Sequence, residues 1–151
     1  MKKLTLVASL ALAALVTAPT QAATSTGNFD VAITLTSACI YAKTSDVAFT
    51  YTSFQTTAAA QTTSGGFTVR CTNTLPYTMA LDAAGSYTDQ ATQLAYTLAL
   101  SAAGATGNGS AQTYAVTGRI DANQGGNCAT AGGVCTNTAS TNKQRTLTIT
   151  Y

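Results

Sequence analysis

Few side chains in this sequence could perform chemistry, and their types limit what that chemistry could be. The chain has no His, Glu or Trp, and its five carboxylates are all Asp. Acid–base catalysis needs a group that titrates near the working pH, and a nucleophile needs a neighbouring base. Asp82 and Asp89 have the type needed for glycoside hydrolysis, but each lies beside residues typical of turns, where Asp commonly forms the turn. We therefore predict no enzymatic activity, no catalytic residue and no cofactor.

Two other patterns could indicate ligand binding. Gly104, Gly107 and Gly109 have the composition of a phosphate-binding loop, but they lie between two predicted strands with no helix after them. That context favours a hairpin loop. Several tyrosines could line a sugar site, although aromatic residues in strands more often pack in a core or on a sheet face. The tyrosines concerned are Tyr41, Tyr51, Tyr87 and Tyr114.

The four cysteines are the remaining reactive side chains. A zinc site is disfavoured because the chain has no His and the last two cysteines have a C-x6-C spacing. An even number of cysteines in an exported chain indicates disulfides, and four cysteines allow three pairings. We favour Cys39 with Cys71 and Cys128 with Cys135, because the second pair flanks a short flexible segment, Ala-Thr-Ala-Gly-Gly-Val. No metal ligand and no free thiol are then expected.

The N-terminus has the pattern of a Sec-type signal peptide. Met1-Lys2-Lys3 forms a short positive region, an apolar run follows from residue 4 to residue 16, and small residues precede Ala22. The apolar run is shorter than the roughly 20 residues that a membrane-spanning helix needs. We predict that residues 1–22 are a signal peptide and that the mature protein is exported, without a membrane anchor.

The charge balance of the mature chain argues against two classes of partner. After residue 22 the sequence contains five basic and five acidic residues, so its net charge is zero. A neutral chain has no electrostatic attraction to nucleic acid or to an acidic membrane surface. A net charge near zero instead favours self-association.

The chain that remains begins with a pattern typical of a strand. Between residues 26 and 36 the apolar side chains of Phe29, Val31, Ile33 and Leu35 occupy every second position. This period of two predicts a strand with one buried face. Because the strand lies at the start of the mature chain, it could complete the core of its own domain or that of a neighbouring molecule.

Six further alternating patterns predict six more strands. Turn residues separate them, and short strands at this spacing predict one antiparallel β-sandwich domain. Residues 53–63 are predicted to cross between the sheets, and residues 123–142 to form a long loop held by the second cysteine pair. The predicted strands lie at residues 47–51, 67–71, 77–81, 94–100, 114–120 and 147–151.

Five segments, taken in order, resemble the spore coat protein U domain family, which includes the subunits of archaic chaperone-usher pili. The resemblance covers nearly the whole mature chain and includes the positions of Cys39 and Cys71. It fails at residues 123–142, where the family usually has a shorter loop without a second cysteine pair. The segments are residues 26–39 (beginning TGNFDV), 66–72 (GFTVRCT), 76–82 (PYTMALD), 114–120 (YAVTGRI) and 145–151 (RTLTITY).

The resemblance implies an incomplete immunoglobulin-like β-sandwich. The missing strand is supplied first by a periplasmic chaperone and then by the N-terminal segment of the next subunit. On this reading residues 23–38 are the donor segment, and residues 39–151 form the domain with the acceptor groove. The implied donor residues are Phe29, Val31, Ile33 and Leu35, and the implied edge strand of the groove contains Leu147, Ile149 and Tyr151.

The function implied by the resemblance is that of a structural pilus subunit. Its partners would be copies of itself or related subunits, a periplasmic chaperone and an outer-membrane usher. Its place would be a pilus at the cell surface, where it would support adhesion or biofilm formation. A donor segment before Cys39 and a single domain favour a shaft subunit over a tip adhesin. A secreted spore-coat or cell-surface coat protein of the same fold is the alternative.

Overall fold

The structure of the protein is a computed structural model that describes residues 22–151. The regular structure in this range is almost entirely β, which confirms the predicted fold class. The predicted signal peptide lies, apart from Ala22, outside the described residues. The elements are β1 (Cys39–Ser45), β2 (Ala59–Ala60), β3 (Gly65–Cys71), β4 (Pro76–Leu81), a 3-10 turn (Asp82–Gly85), β5 (Ser86–Thr88), β6 (Ala95–Leu100), β7 (Gly104–Thr106), β8 (Gln112–Ile120), α1 (Ser140–Lys143) and β9 (Leu147–Thr150).

The larger sheet is built around β8, its longest strand. Its strand order is β1-β3-β8-β6-β5, and all neighbours are antiparallel. One edge of β8 pairs with β3 through residues 112–116 and with β2 through residues 119–120. The other edge pairs with β6 through residues 116–120. The strand β8 is therefore paired on at least one edge along its whole length, and on both edges at residues 116, 119 and 120.

The smaller sheet has the order β7-β4-β9 and is also antiparallel. Its strand β7 follows β6 of the larger sheet directly along the chain, and in the connection between them the carbonyl of Ala103 accepts a hydrogen bond from the amide of Met79 at 2.7 Å. The first residue of β7 must be glycine, because a Cβ at Gly104 would lie 2.5 Å from the carbonyl oxygen of Tyr77. The two strands approach too closely there for a side chain.

The core lies between β3 and β4 and explains why these strands form. In each strand the odd-numbered residues are more buried than the even-numbered ones, as expected of a strand with one face on a core. Val69 is fully buried at the centre. Each such side chain contributes about 1.5–3 kcal/mol on burial. The buried cluster is Phe67, Val69, Cys71, Tyr77 and Met79, with Leu147 and Ile149 of β9 packed against it.

Two predicted strands do not form. Residues 26–36 contain no strand, and their apolar side chains are exposed. The prediction for residues 47–51 is also wrong, because this segment makes only an isolated bridge between Ala48 and Thr63. Its alternation has another cause: Phe49 packs its ring 5.8 Å from that of Tyr96 without joining the ladder.

Several short strands were not predicted from the sequence. The strand β1 follows the predicted opening strand, and β5 lies between the predicted strands at residues 77–81 and 94–100. Residues 53–63, predicted to be a crossing, include the two-residue strand β2. Residues 123–142 are irregular except for the start of α1. Residues 104–106, predicted to be part of a hairpin loop, form β7.

The structure contains both disulfides that the sequence favoured. Cys39 pairs with Cys71, which is its direct partner in the register between β1 and β3. Cys128 pairs with Cys135 within the long loop. No free cysteine occurs in the described part of the chain. One bond therefore joins two strands of a sheet, and the other closes a short surface loop.

Asp82 and Asp89 form turns, as predicted. Asp82 begins the 3-10 turn, and Asp89 is buried. One carboxylate oxygen of Asp89 accepts hydrogen bonds from the backbone amide of Thr92, at 2.8 Å, and from its hydroxyl, at 2.7 Å. The other oxygen accepts from the side-chain amide of Asn137 at 3.1 Å. Asp89 thus fastens the long loop to the turn between β5 and β6.

We expect Val69→Ala to lower the free energy of unfolding by about 2 kcal/mol or more, because it removes two methyl groups and leaves a cavity in a closed core. Urea denaturation measures the loss. The matched control is Val134→Ala, since Val134 is 90% exposed and should change stability by less than about 0.5 kcal/mol. Equal effects of the two substitutions would contradict the position of the core.

We expect Asp89→Asn to destabilise the protein in a pH-dependent way. Burial alone would raise the pKa of Asp89, but the hydrogen bonds from Thr92 and Asn137 outweigh it, so the pKa lies below its ordinary value of 3.8. The ionised carboxylate therefore stabilises the fold above about pH 4, and this contribution disappears as the pH falls through the folded-state pKa. At pH 7 the variant should lose about 1–3 kcal/mol.

Urea denaturation of both proteins at pH 7 and at progressively lower pH measures the difference. The difference between Asp89→Asn and the wild type should shrink as the carboxylate becomes protonated. Asp46→Asn is the control, because Asp46 makes only an exposed ion pair with Lys43 and should have little effect at any pH. A constant difference for Asp89→Asn across this range would show that its charge is not what holds the loop.

Candidate functional site: an exposed apolar segment and two sheet edges

The segment before β1 exposes a row of large apolar side chains. Residues 22–38 contain no strand or helix. Soluble proteins rarely expose contiguous apolar surface unless it meets a partner. Burial of four such side chains would contribute roughly 6–12 kcal/mol as an upper bound. The exposed fractions are 85% for Phe29, 70% for Val31, 86% for Ile33 and 78% for Leu35.

The chain enters β1 at a firmly held point. The amide of Ala38 donates to the hydroxyl of Thr72 at 3.0 Å, and the amide of Thr72 donates to the carbonyl of Ala38 at 3.0 Å. The next residue, Cys39, is disulfide-bonded to Cys71. Two hydrogen bonds and one covalent bond therefore fix the chain where the exposed segment ends.

The strand β9 has one free edge among the described residues. It pairs with β4, in register from Leu81 opposite Leu147 to Thr78 opposite Thr150, and it is the last strand of its sheet. Leu147 and Ile149 pack against the core cluster. Tyr151 lies just beyond the strand and is exposed. The unpaired backbone groups on the free edge are available to another strand.

The strand β1 is the corresponding edge of the larger sheet. In the described part of the chain it pairs only with β3, and Tyr41 lies opposite Val69 in the register. Directly opposed residues of an antiparallel pair share a face, so Tyr41 faces the interior. Its ring lies 5.8 Å from that of Phe67. Val69 and Phe67 are buried, yet Tyr41 is 49% exposed. The interior is therefore not fully covered beside β1.

The opposite end of the larger sheet is covered. The ring of Tyr87 stacks on that of Tyr96, with centroids 5.2 Å apart, and the guanidinium of Arg145 lies 4.7 Å from the Tyr87 ring. Arg145 also donates to the Tyr96 hydroxyl at 2.7 Å. Burial raises the pKa of Tyr96, and burial together with a hydrogen bond to Asp82 raises the pKa of Tyr87. The polar groups of these side chains therefore have partners within the same molecule.

The tyrosines considered for a sugar site do not form one. The Tyr114 ring stacks on that of Phe67 and meets that of Tyr77 edge-on, and its hydroxyl contacts that of Tyr77. Burial and this hydrogen bond raise the pKa of Tyr77 to about 12. The hydroxyl of Tyr51 accepts a hydrogen bond from the amide of Gln124 at 2.8 Å. Tyr41 alone combines a position on the inner face with a large exposed area.

The strand β1, which borders the incompletely covered interior, was not predicted from the sequence. The side chains between Cys39 and Ser45 are all exposed, so no alternation of apolar and polar residues marks a buried face. Cys39 could have indicated this strand. Its predicted disulfide partner, Cys71, lies in a predicted strand, so the residues next to Cys39 must lie beside that strand.

Residues 25–98 match the family model of the Spore Coat Protein U domain. The match begins in the exposed segment, includes β1 to β5 and ends within β6. No significant match to a curated protein or to a solved structure was found. No helix in residues 22–151 is long and apolar enough to cross a membrane.

The matched region therefore contains both the row of exposed apolar side chains and the edge strand β1 with its half-exposed Tyr41. The family consists of surface structural proteins of the pilus or coat type. Residues 25–98 of the chain therefore carry a Spore Coat Protein U domain.

Proposed function

We propose that this protein is a structural subunit of a pilus, assembled by a chaperone-usher pathway through donor-strand complementation. Residues 23–38 act as the donor segment, and residues 39–151 form an incomplete immunoglobulin-like domain that accepts the donor of a neighbour. One observation carries this proposal. The same chain exposes an alternating apolar row at Phe29, Val31, Ile33 and Leu35 and leaves Tyr41, on its own inner face, half uncovered.

The two features are complementary in their chemistry. A strand added along the free edge of β9 would pair with the backbone at Leu147, Ile149 and Tyr151, and its alternate side chains would enter the interior. Strand addition of this kind takes affinity from main-chain hydrogen bonds and specificity from alternate side-chain pockets. The donor row supplies four apolar side chains on one face, while Asp30 and the threonines face the solvent.

The chain around Ala38 favours a neighbouring subunit over the donor's own domain. Only Thr36 and Ser37 lie between Leu35 and Ala38, which is fixed to Thr72. To return to its own domain the segment would have to reverse within these residues. Tight hairpin turns favour Asn and Gly, which supply positive φ at little cost, whereas a β-branched Thr does not. The segment therefore acts in trans.

Donation in trans makes each contact head-to-tail, and such contacts generate a filament when they do not close into a ring. Before assembly the open groove would need temporary cover, which a periplasmic chaperone provides, and an outer-membrane usher joins the subunits at the cell surface. A donor segment ahead of the accepting domain suits a shaft subunit that supports adhesion or biofilm formation. Asp82 and Asp89 serve turns, so the role is structural and not catalytic.

The first test removes the donor. A chain lacking residues 23–37 should remain unassembled and of low stability, because its interior lacks several kcal/mol of apolar burial and one row of hydrogen bonds. Addition of a peptide spanning residues 26–36 should bind it and raise its melting temperature. Calorimetry and size-exclusion chromatography measure both effects. A truncated chain that is a stable monomer and ignores the peptide, or one that still polymerises, would contradict the proposal.

The second test changes the donor face. Ile33→Asp places an unpaired carboxylate in the groove, which should cost several kcal/mol and abolish donation. The variant should still accept a wild-type donor peptide, because its own groove is unchanged. Asp30→Asn is the matched control, since Asp30 lies on the solvent face of the row and should donate normally. Electron microscopy and peptide binding separate the two activities. Filaments formed by Ile33→Asp alone would argue against donation by this face.

A further inference from the structure

We propose that the Cys39–Cys71 disulfide carries the tensile load of the filament and passes it from each donor segment directly into the core of the subunit. This inference rests on the proposed function, because it assumes that the donor segment is held by a neighbouring molecule. It concerns how one subunit transmits force between that segment and its own groove. On this inference the Cys39–Cys71 disulfide carries load and the Cys128–Cys135 disulfide does not.

A filament pulled at its ends loads each subunit at two places. One is the donor segment, which is joined to the domain through Ala38 and Cys39. The other is the groove, where the donor of the next subunit pairs along β9. Any force along the filament must cross the domain between Cys39, the first residue of β1, and β9.

The strand β1 alone would be a weak anchor for this force. It is an edge strand that pairs only with β3 among the described residues, and the side chains between Cys39 and Ser45 are exposed. Little apolar burial therefore holds it beyond its ladder of hydrogen bonds. Its loss would also remove Tyr41 from its contact with Phe67 and so remove one wall of the groove.

The disulfide provides a path that bypasses β1. Cys71 is the last residue of β3, and β4 begins at Pro76 after a short connection. This connection is fastened to the residues after β7, because the amide of Thr74 donates to the carbonyl of Gly107 and the amide of Gly107 donates to the carbonyl of Leu75, each at 2.7 Å. The strand β4 then pairs with β9. The path from the donor segment to β4 is thus covalent.

The loaded end of this path is the most deeply packed part of the domain. Cys71, Tyr77 and Met79 belong to the buried core cluster. Force that enters at Cys71 therefore acts on β3 and β4 and not on the exposed edge strand. The groove wall formed by β1 stays in place under load, so the subunit keeps its hold on the next donor while its own donor is pulled.

The second disulfide lies away from this path. Cys128 and Cys135 are seven positions apart, in the irregular segment between β8 and α1. Their bond joins no two strands. Since β9 is held by its ladder with β4, this loop carries no force while that ladder is intact. The chain thus offers a matched control, with the same chemistry in the same molecule.

The experiment stretches filaments of the Cys128→Ser/Cys135→Ser variant in optical tweezers, before and after reduction by a phosphine. Only Cys39–Cys71 is then available for reduction, and mass spectrometry after alkylation verifies it. Oxidised filaments should extend like the wild type until a donor strand leaves. Reduced filaments should lengthen at a lower force, on the order of tens of ångströms per subunit, as β1 detaches. Filaments of Cys39→Ser/Cys71→Ser should behave like the reduced ones.

The outcomes separate this inference from the proposed function. Filaments with identical force–extension curves in both redox states, and in both double variants, would overturn the load path and leave donor-strand assembly standing. A wild-type chain that forms no filament with its chaperone and usher would overturn both. Early lengthening in the Cys128→Ser/Cys135→Ser filaments before reduction would place the load on the long loop and also contradict the inference.

Discussion

The smaller sheet has three strands and faces a larger sheet of six, so it cannot cover the whole inner face of its partner. Its central strand β4 lies over β3, and this contact forms the core. The two ends of the larger sheet then need other cover. At the end formed by β5 and β6, Arg145 lies over Tyr87 and Tyr96 and closes the interior with a side chain of the same molecule. At the β1 end, Tyr41 is left half exposed.

The difference between these two ends shows how a fold with an unfinished face remains a defined structure. The disulfide and the hydrogen bonds between Ala38 and Thr72 hold β1 in register with β3 although the side chains between its two ends are exposed. Covalent and hydrogen bonds thus replace the burial that an edge strand normally gains from a second sheet. In the proposed assembly β1 would therefore be in place before a partner arrives, and the partner would not have to order it on binding.

The sequence predicted those elements whose burial follows a simple period. The strands β3, β4 and β8 alternate because one face of each meets the core, and the four apolar residues of segment 26–36 alternate although the single chain does not bury them. The strand β1 was not predicted, because a strand with exposed side chains leaves no pattern. The strand predicted at residues 47–51 was wrong for the opposite reason. The alternation is present because Phe49 packs on Tyr96, but the segment does not pair as a strand. An alternating sequence therefore indicates a face of apolar side chains suited to burial. It indicates a paired strand only where those side chains also belong to a hydrogen-bonded ladder.

The candidate site, too, could be predicted only in part from the alternation of apolar residues. The alternation at Phe29, Val31, Ile33 and Leu35 indicates an apolar face, but only the structure shows that this face stays exposed and that Tyr41 is uncovered. A domain that lacks one strand has a stability linked to whatever fills the gap, because a ligand that binds only the folded state stabilises it by RT ln(1 + [L]/Kd), where [L] is the free ligand concentration. In the proposed filament this ligand is the neighbour's donor segment, so the contact that joins two subunits would also stabilise the accepting domain. Folding and assembly would then depend on the same strand, because a domain that lost its neighbour's segment would lose both that stabilisation and its place in the filament.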